Sequence, residues 1–181
     1  TQALARGRAA DVPLIIGWNS GEDAVAFGGL MTTSDDLRSA AGRETFTDRM
    51  FGAPARWVAG KASAGKPAWL YHFSYVGSRF RPRMTTAAHA AEIQYVWEYW
   101  GRRTPMSVVS DEDRAMATLM HGCWVAFAKT GAPTCGTEPW PAYDPKADRW
   151  RMLPLRGAPE ARVEPLHVWT GTELLVWGGI T

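Results

Sequence analysis

Val12–Asp23, VPLIIGWNSGED, is the stretch on which the fold turns. Its first half, Val12–Gly17, is a short continuous apolar run with Pro13 near its start and the polar Asn19-Ser20-Gly21 after it. A run of that length and composition suits a fully buried strand of a parallel sheet. Open α/β sheets build their sites at the carboxyl ends of such strands. An acid in the following turn therefore stands where a site is expected, and Glu22 is that acid.

Downstream, Ser34–Ala41 is helix-compatible, with Ser34 as its N-cap and acids behind it. Thr45–Ala64 reads as two helical pieces interrupted at Pro54. Ala68–Val76, AWLYHFSYV, is rich in aromatic and β-branched residues and follows a Gly-Lys-Pro turn, which predicts a second strand. Gly77–Thr86 is a basic loop, and Ala87–Trp100 reads as a helix with an aromatic face. Asp111–Thr130 carries the plainest helix signals: Ser110 before it, acids in its first turn, Asp113 in capping-box position, Lys129 near its end and Gly131 behind it. After Pro139 the pattern changes to short strands and turns.

Composition narrows the function classes. The chain has 181 residues, 46% of them hydrophobic and 21% charged, which is the globular range. Ten Trp are most simply core packing, although Trp18, Trp97 and Trp100 could line a pocket. A net charge of +2, from 20 Lys+Arg against 18 Asp+Glu, gives no footprint for nucleic acid. No stretch approaches the roughly 18 apolar residues of a membrane span. The first residues show neither a starting Met nor a signal pattern and read as a chain cut from something longer. Cys123 is read as a buried small hydrophobe rather than a bridged cysteine, with a Cys123–Cys135 disulfide as the alternative, so the compartment stays open.

Two residue positions carry possible chemistry: Glu22 after the first strand and His89 after the second. Acid then histidine, each behind its own strand, is the chain order that the hydrolase fold uses after its serine. Six segments resemble the type-B carboxylesterases. IIGWNSGEDAVAF (residues 15–27) is similar to that family's acid segment, and TFTDRMFGAPAR (45–56) to the helix after it. PAWLYHFSYV (67–76) resembles the strand before the histidine, and AAHAAEIQYVW (87–97) the histidine segment. MHGCWVAFAKTGAPT (120–134) and WPAYDP (140–145) resemble its late helix and the turn beyond.

The resemblance implies the C-terminal part of an α/β-hydrolase, with parallel strands, flanking helices and a short β-strand tail. It implies that Glu22 orients His89 and that His89 moves the serine proton. It also implies that Glu92, on the same helix face as His89, braces the histidine, with Ser20 in the same surroundings. Ester hydrolysis through an acyl-enzyme requires no cofactor. Asp23 is the competing acid, but the motif register favours Glu22. His89-x-x-Glu92 lacks a third ligand for a metal. His72, His121 and His167 are read as structural.

The departure from the family is the nucleophile. No Gly-x-Ser-x-Gly occurs; the nearest string, Gly60–Gly65 (GKASAG), has its first glycine one place too early and falls between acid and histidine. Ser63 is read as a loop residue, and no Gly-Gly pair supplies an oxyanion hole. The expectation is a partner portion bearing the nucleophile, and a small-molecule ester as substrate. Residues 1–142 are read as the esterase portion. Residues 143–181 are read as a β-rich tail: either kelch-like, since 143–179 resembles a single kelch repeat, or the esterase's own C-terminal strands. The competing reading is a non-catalytic interaction module containing a propeller fragment.

Overall fold

The computed structural model describes residues 5–7, 10–147, 166–169 and 174–177. Strand β1, Leu14–Asn19, pairs in parallel with β2, Ala68–Phe73, in the register Leu14↔Ala68 to Asn19↔Phe73. The helices between them form the crossover that parallel neighbours require. After a short helix α1, Ala24–Phe27, the chain forms α2, Ala40–Thr47, a π-helical turn, Asp48–Gly52, and α3, Ala53–Ala62. Beyond β2 come a short α4, Ile93–Val96, a 3-10 turn, Met106–Val108, and the long α5, Asp111–Thr130. Small antiparallel pairs follow: β3, Thr134–Cys135, with β4, Glu138–Pro139, then β5, Leu166–Trp169, with β6, Leu174–Trp177.

The two-residue period of the strands divides the core between two faces. Leu14, Ile16 and Trp18 of β1 join Ala68 and Leu70 of β2 against Ala55 and Ala59 of α3. The alanines lie four apart, on one helix face, and leave the helix free to approach the sheet closely. On the other face Tyr71 stacks edge-on to Trp124, and Trp69 to Phe127, so α5 covers it. Phe73 continues this second core with Tyr95, Val96, Ala117 and Met120. Helices on both faces of a parallel pair make this an α/β arrangement, as the sequence implies.

Pro54 does not interrupt the crossover helix as a break. It follows the π-helical turn, in which the Ala53 N–H donates to Asp48 O, five residues back. The wider turn accommodates a ring that an uninterrupted α-helix would bring against Met50 O. The preceding helix starts later than expected. Ser39, not Ser34, is its cap, with Ser39 Oγ accepting from the Gly42 N–H at 3.0 Å.

Helix α5 has the expected bounds. Ser110 Oγ accepts from the Asp113 N–H, and the Ser110 N–H donates back to Asp113 Oδ2. Gly131 takes φ 77 at the C-terminus, the left-handed conformation that glycine adopts freely. Asp113 also collects Tyr75 Oη at 2.9 Å, the Ser78 N–H at 3.1 Å and Ser78 Oγ at 2.5 Å. The carboxylate thus ties the chain leaving β2 to the start of α5.

Three expectations are corrected. Cys123 is buried as read, but it is disulfide-bonded to Cys135, tying α5 to β3. Ala87–Trp100 is not one helix: only Ile93–Val96 is α-helical, and Ala90 (φ 64) and Glu98 (φ 49) break it on either side. Local helix propensity there loses to tertiary hydrogen bonds that hold Ala87 and Ala88 against the end of β1. β1 is only half-buried over Leu14–Gly17, because among the described residues its one strand neighbour is β2. Of the tail, residues 143–147 and the antiparallel pair β5–β6 are described; the rest of the kelch-like stretch lies outside the described residues, as does the side chain of His167.

Candidate active site

The parallel register brings the carboxyl ends of β1 and β2 side by side, so the turns that leave them meet. Gly21 and Ala88 form a parallel bridge that prolongs the pairing beyond both strands. The Gly21 N–H donates to Ala87 O at 2.8 Å, and Ser20 Oγ accepts from the Ala87 N–H at 2.9 Å. Glycine is needed at 21: a β-carbon would stand 2.5 Å from Thr86 Oγ1 and 3.0 Å from Ala87 O.

Across this seam Glu22 Oε2 lies 2.5 Å from His89 Nδ1. The carboxylate is almost wholly buried, whereas the imidazole side chain is 43% exposed. Glu22 Oε1 accepts from the Asn19 main-chain N–H at 2.7 Å. Burial pushes the Glu22 carboxyl above its ordinary value, against the pull of the Asn19 N–H and of His89. With Nδ1 facing the acid, the ring presents Nε2, which has no hydrogen-bond partner among the described residues. Phe51, from the π-helical turn, packs against the ring at 5.6 Å between centroids.

The other expected residues fall close by, in different roles. Ser20 fastens the histidine turn through Ala87 rather than touching either ring or acid. Glu92 does not share a helix face with His89; it immediately precedes α4, and its Oε2 accepts from Asn19 Nδ2 at 2.5 Å. Asp23 stands 4.0 Å from Arg43. Ser63 ends α3 ahead of β2, its Oγ donating to Ala59 O. The six residues of β2 then separate it from the His89 turn by about 20 Å. His72 is half-buried and stacks on Trp18; desolvation, helped by Arg56, lowers its pKa to about 4. His121 hydrogen-bonds Val96 O.

Three residues are not predicted by the sequence. Asn19 joins the acid turn to the histidine turn by donating Nδ2 to Ala88 O at 2.8 Å as well as to Glu92. At Tyr71 burial, together with the nearby Glu92 and Glu22 charges, raises the pKa, which keeps the phenol protonated. Gly21 is the third. The period-2 pattern places Tyr71 in a strand, but no local signal in the sequence sets it near two acids. A groove of about 480 Å³ opens beside His89, walled by Tyr75, Phe80, Met84, Ile93 and Trp100. Trp100 therefore faces both groove and core, Trp18 is core, and Trp97 is exposed.

Among the described residues no group of His, Cys, Asp and Glu could hold a metal ion, and no helix is long and apolar enough to cross a membrane.

Known proteins resemble this chain over much of its length. Residues 26–162 match the model of the carboxylesterase family, a span that includes His89 and runs past residue 142 but begins just after Glu22. The chain is 26% identical over 172 residues to the para-nitrobenzyl esterase of Bacillus subtilis, covering 78% of this chain and 34% of that protein. It is 31% identical over 112 residues to carboxylesterase 4A of Bos taurus, covering 59% of this chain and 20% of that one. A solved para-nitrobenzyl esterase structure superposes with a TM-score of 0.59 at 25% identity, over 78% of this chain and 34% of the other. The chain thus spans about a third or less of the length of these relatives. It is an α/β-hydrolase portion, and it belongs to the carboxylesterase family.

Proposed function

We propose that this chain supplies the acid and the base of a Ser-His-Glu triad for carboxylic ester hydrolysis. The serine and the oxyanion donors belong to a portion outside these 181 residues. The observation that carries the reading is the contact between Glu22 Oε2 and His89 Nδ1 at the carboxyl ends of adjacent parallel strands. The para-nitrobenzyl esterase and carboxylesterase relatives support the reaction class.

Each residue has one task. Glu22 accepts a hydrogen bond from the Nδ1–H of His89 without taking the proton, which fixes the tautomer and leaves Nε2 as the basic nitrogen. His89 Nε2 takes the serine proton as the hydroxyl oxygen bonds to the ester carbonyl carbon. The imidazolium so formed is stabilised by the buried Glu22 carboxylate. It returns its proton to the alcohol oxygen as the ester C–O bond breaks, and an acyl-enzyme remains. Water then repeats the cycle: His89 takes its proton, the acid is released and the serine regains its hydrogen. Small-molecule esters are the substrates, and no cofactor takes part. Residues 1–142 are the esterase portion in this reading, with 143–181 as a β-rich tail.

Ester hydrolysis by this chain joined to a nucleophile-bearing portion tests the proposal. Release of nitrophenol from a nitrophenyl ester should fall at least about 10⁴-fold in His89→Ala. Full activity in both His89→Ala and Glu22→Gln would contradict it.

A further inference from the structure

Resting on that reading, we propose that Asn19 is a positioning residue for the Glu22–His89 pair, because one residue holds both partners from behind. Its main-chain N–H donates to Glu22 Oε1 at 2.7 Å and fixes which carboxylate oxygen is left for the imidazole. Its side-chain amide reaches the other turn, donating to Ala88 O at 2.8 Å, one residue before His89. The same amide nitrogen donates to Glu92 Oε2 at 2.5 Å, three residues after His89. The histidine turn is thereby gripped on both sides of the reacting ring by a side chain that belongs to the acid's turn.

Three features show that geometry, not stability, sets this side chain. Asn19 is 1% exposed, so water does not compete for these bonds. Its Oδ1 is buried without a hydrogen-bond partner among the described residues, a local cost that an apolar side chain would avoid. The turn it grips contains Ala90 at φ 64, a conformation an alanine adopts only when its surroundings hold it there. Glu92 anchors the far end of the clamp. Nδ2 carries two N–H groups, and both acceptors use it. An aspartate of the same shape offers neither donor and sets a carboxylate against Glu92.

The test has two arms. In the 181-residue chain, proton NMR follows the low-field Nδ1 proton shared by His89 and Glu22, assigned by its loss in Glu22→Gln. In the enzyme complete with its nucleophile-bearing portion, kcat and KM are measured per titrated active site. Asn19→Ala should abolish or exchange-broaden that resonance. It should lower kcat by roughly 10- to 100-fold with KM within twofold, as expected for a small misplacement of reacting groups. A merely structural role would reduce the number of active sites while leaving the resonance and the kcat of each site unchanged; that result overturns the proposal. Should Asn19→Ala fail to fold, the near-isosteric Asn19→Asp serves: the same drop in kcat supports the proposal, and kcat within twofold of the parent overturns it. Loss of the resonance in Asn19→Ala, together with full activity in Glu22→Gln and His89→Ala, would sink the triad reading and leave the clamp intact.

Discussion

Glu22 and His89, 67 residues apart in the chain, meet through a 2.5 Å contact between Oε2 and Nδ1. The contact exists because two parallel strands end in register and their turns are stitched by Ser20, Gly21 and Asn19 to Ala87 and Ala88. The acid is buried and the histidine half-exposed. In the proposed triad, that asymmetry suits a base that must meet substrate and an orienting group that need not.

Replacing Glu22 by Gln separates activity from stability. The neutral amide cannot stabilise an imidazolium, and kcat is expected to fall by about 10³- to 10⁴-fold with little change in KM. Stability should move the other way. The folded pKa of Glu22 is raised above 4.5, so its contribution is present when the group is protonated and is lost as pH rises through the raised value. At pH 7 the ionised acid is therefore a burden on the fold. A melting temperature for Glu22→Gln equal to or above the parent's at pH 7, alongside lost activity, is the expected pair of results.

Gly21→Ala tests the seam itself. The added methyl would press on Thr86 Oγ1 and on Ala87 O, and backbone oxygen cannot step aside as a long side chain can. The acid turn should shift by a few tenths of an ångström or more from the histidine turn. A loss of kcat of at least about tenfold is expected in the complete enzyme, with the chain still folded by circular dichroism.

Asp113 should set part of the acid sensitivity of the fold. Burial alone would push its carboxyl up, but hydrogen bonds from Ser78, Ser110 and Tyr75 outweigh that and hold it below its ordinary value of 3.8. The unfolded chain then binds more protons, so the stability Asp113 contributes is present above 3.8 and lost as pH falls through the lowered folded value. Asp113→Ala should cost about 3 kcal/mol at pH 7. The variant should also show a shallower fall of melting temperature on acidification than the parent.

The Cys123–Cys135 bridge closes a loop across 12 positions of sequence. Loop-closure entropy for a loop of that size is worth about 3 kcal/mol. Changing both cysteines to alanine should lower the melting temperature by roughly 6–12 °C. Thiol titration of the denatured chain should find no free thiol until a reductant is added.

What the sequence discloses follows from where each signal resides. Helix Asp111–Thr130 is legible because its cap, its charge gradient and its glycine stop are all local. β1 is found, but its bounds shift to Leu14–Asn19: Trp18 and Asn19 are strand only because His72 and Phe73 pair with them. Ala87–Trp100 has the composition of a helix, and nothing within it reveals that Ser20 and Gly21 will claim Ala87. Glu22 and His89 are legible by chain order and by their motifs. Asn19 is not, because its side-chain partners lie 69 and 73 residues away. The Cys123–Cys135 pairing is not legible either, because an apolar helix face is compatible with a free thiol or a bridge.

The central claim is that these 181 residues hold the acid and the base but not the nucleophile. Labelling with a serine-directed fluorophosphonate, read by intact mass, tests it most directly. The 19.9 kDa chain alone should remain unlabelled. A nucleophile-bearing portion joined to it should take one label, at a rate that collapses when His89 is changed to alanine. Stoichiometric labelling of the isolated chain, lost on changing Ser63 to alanine, would contradict the account.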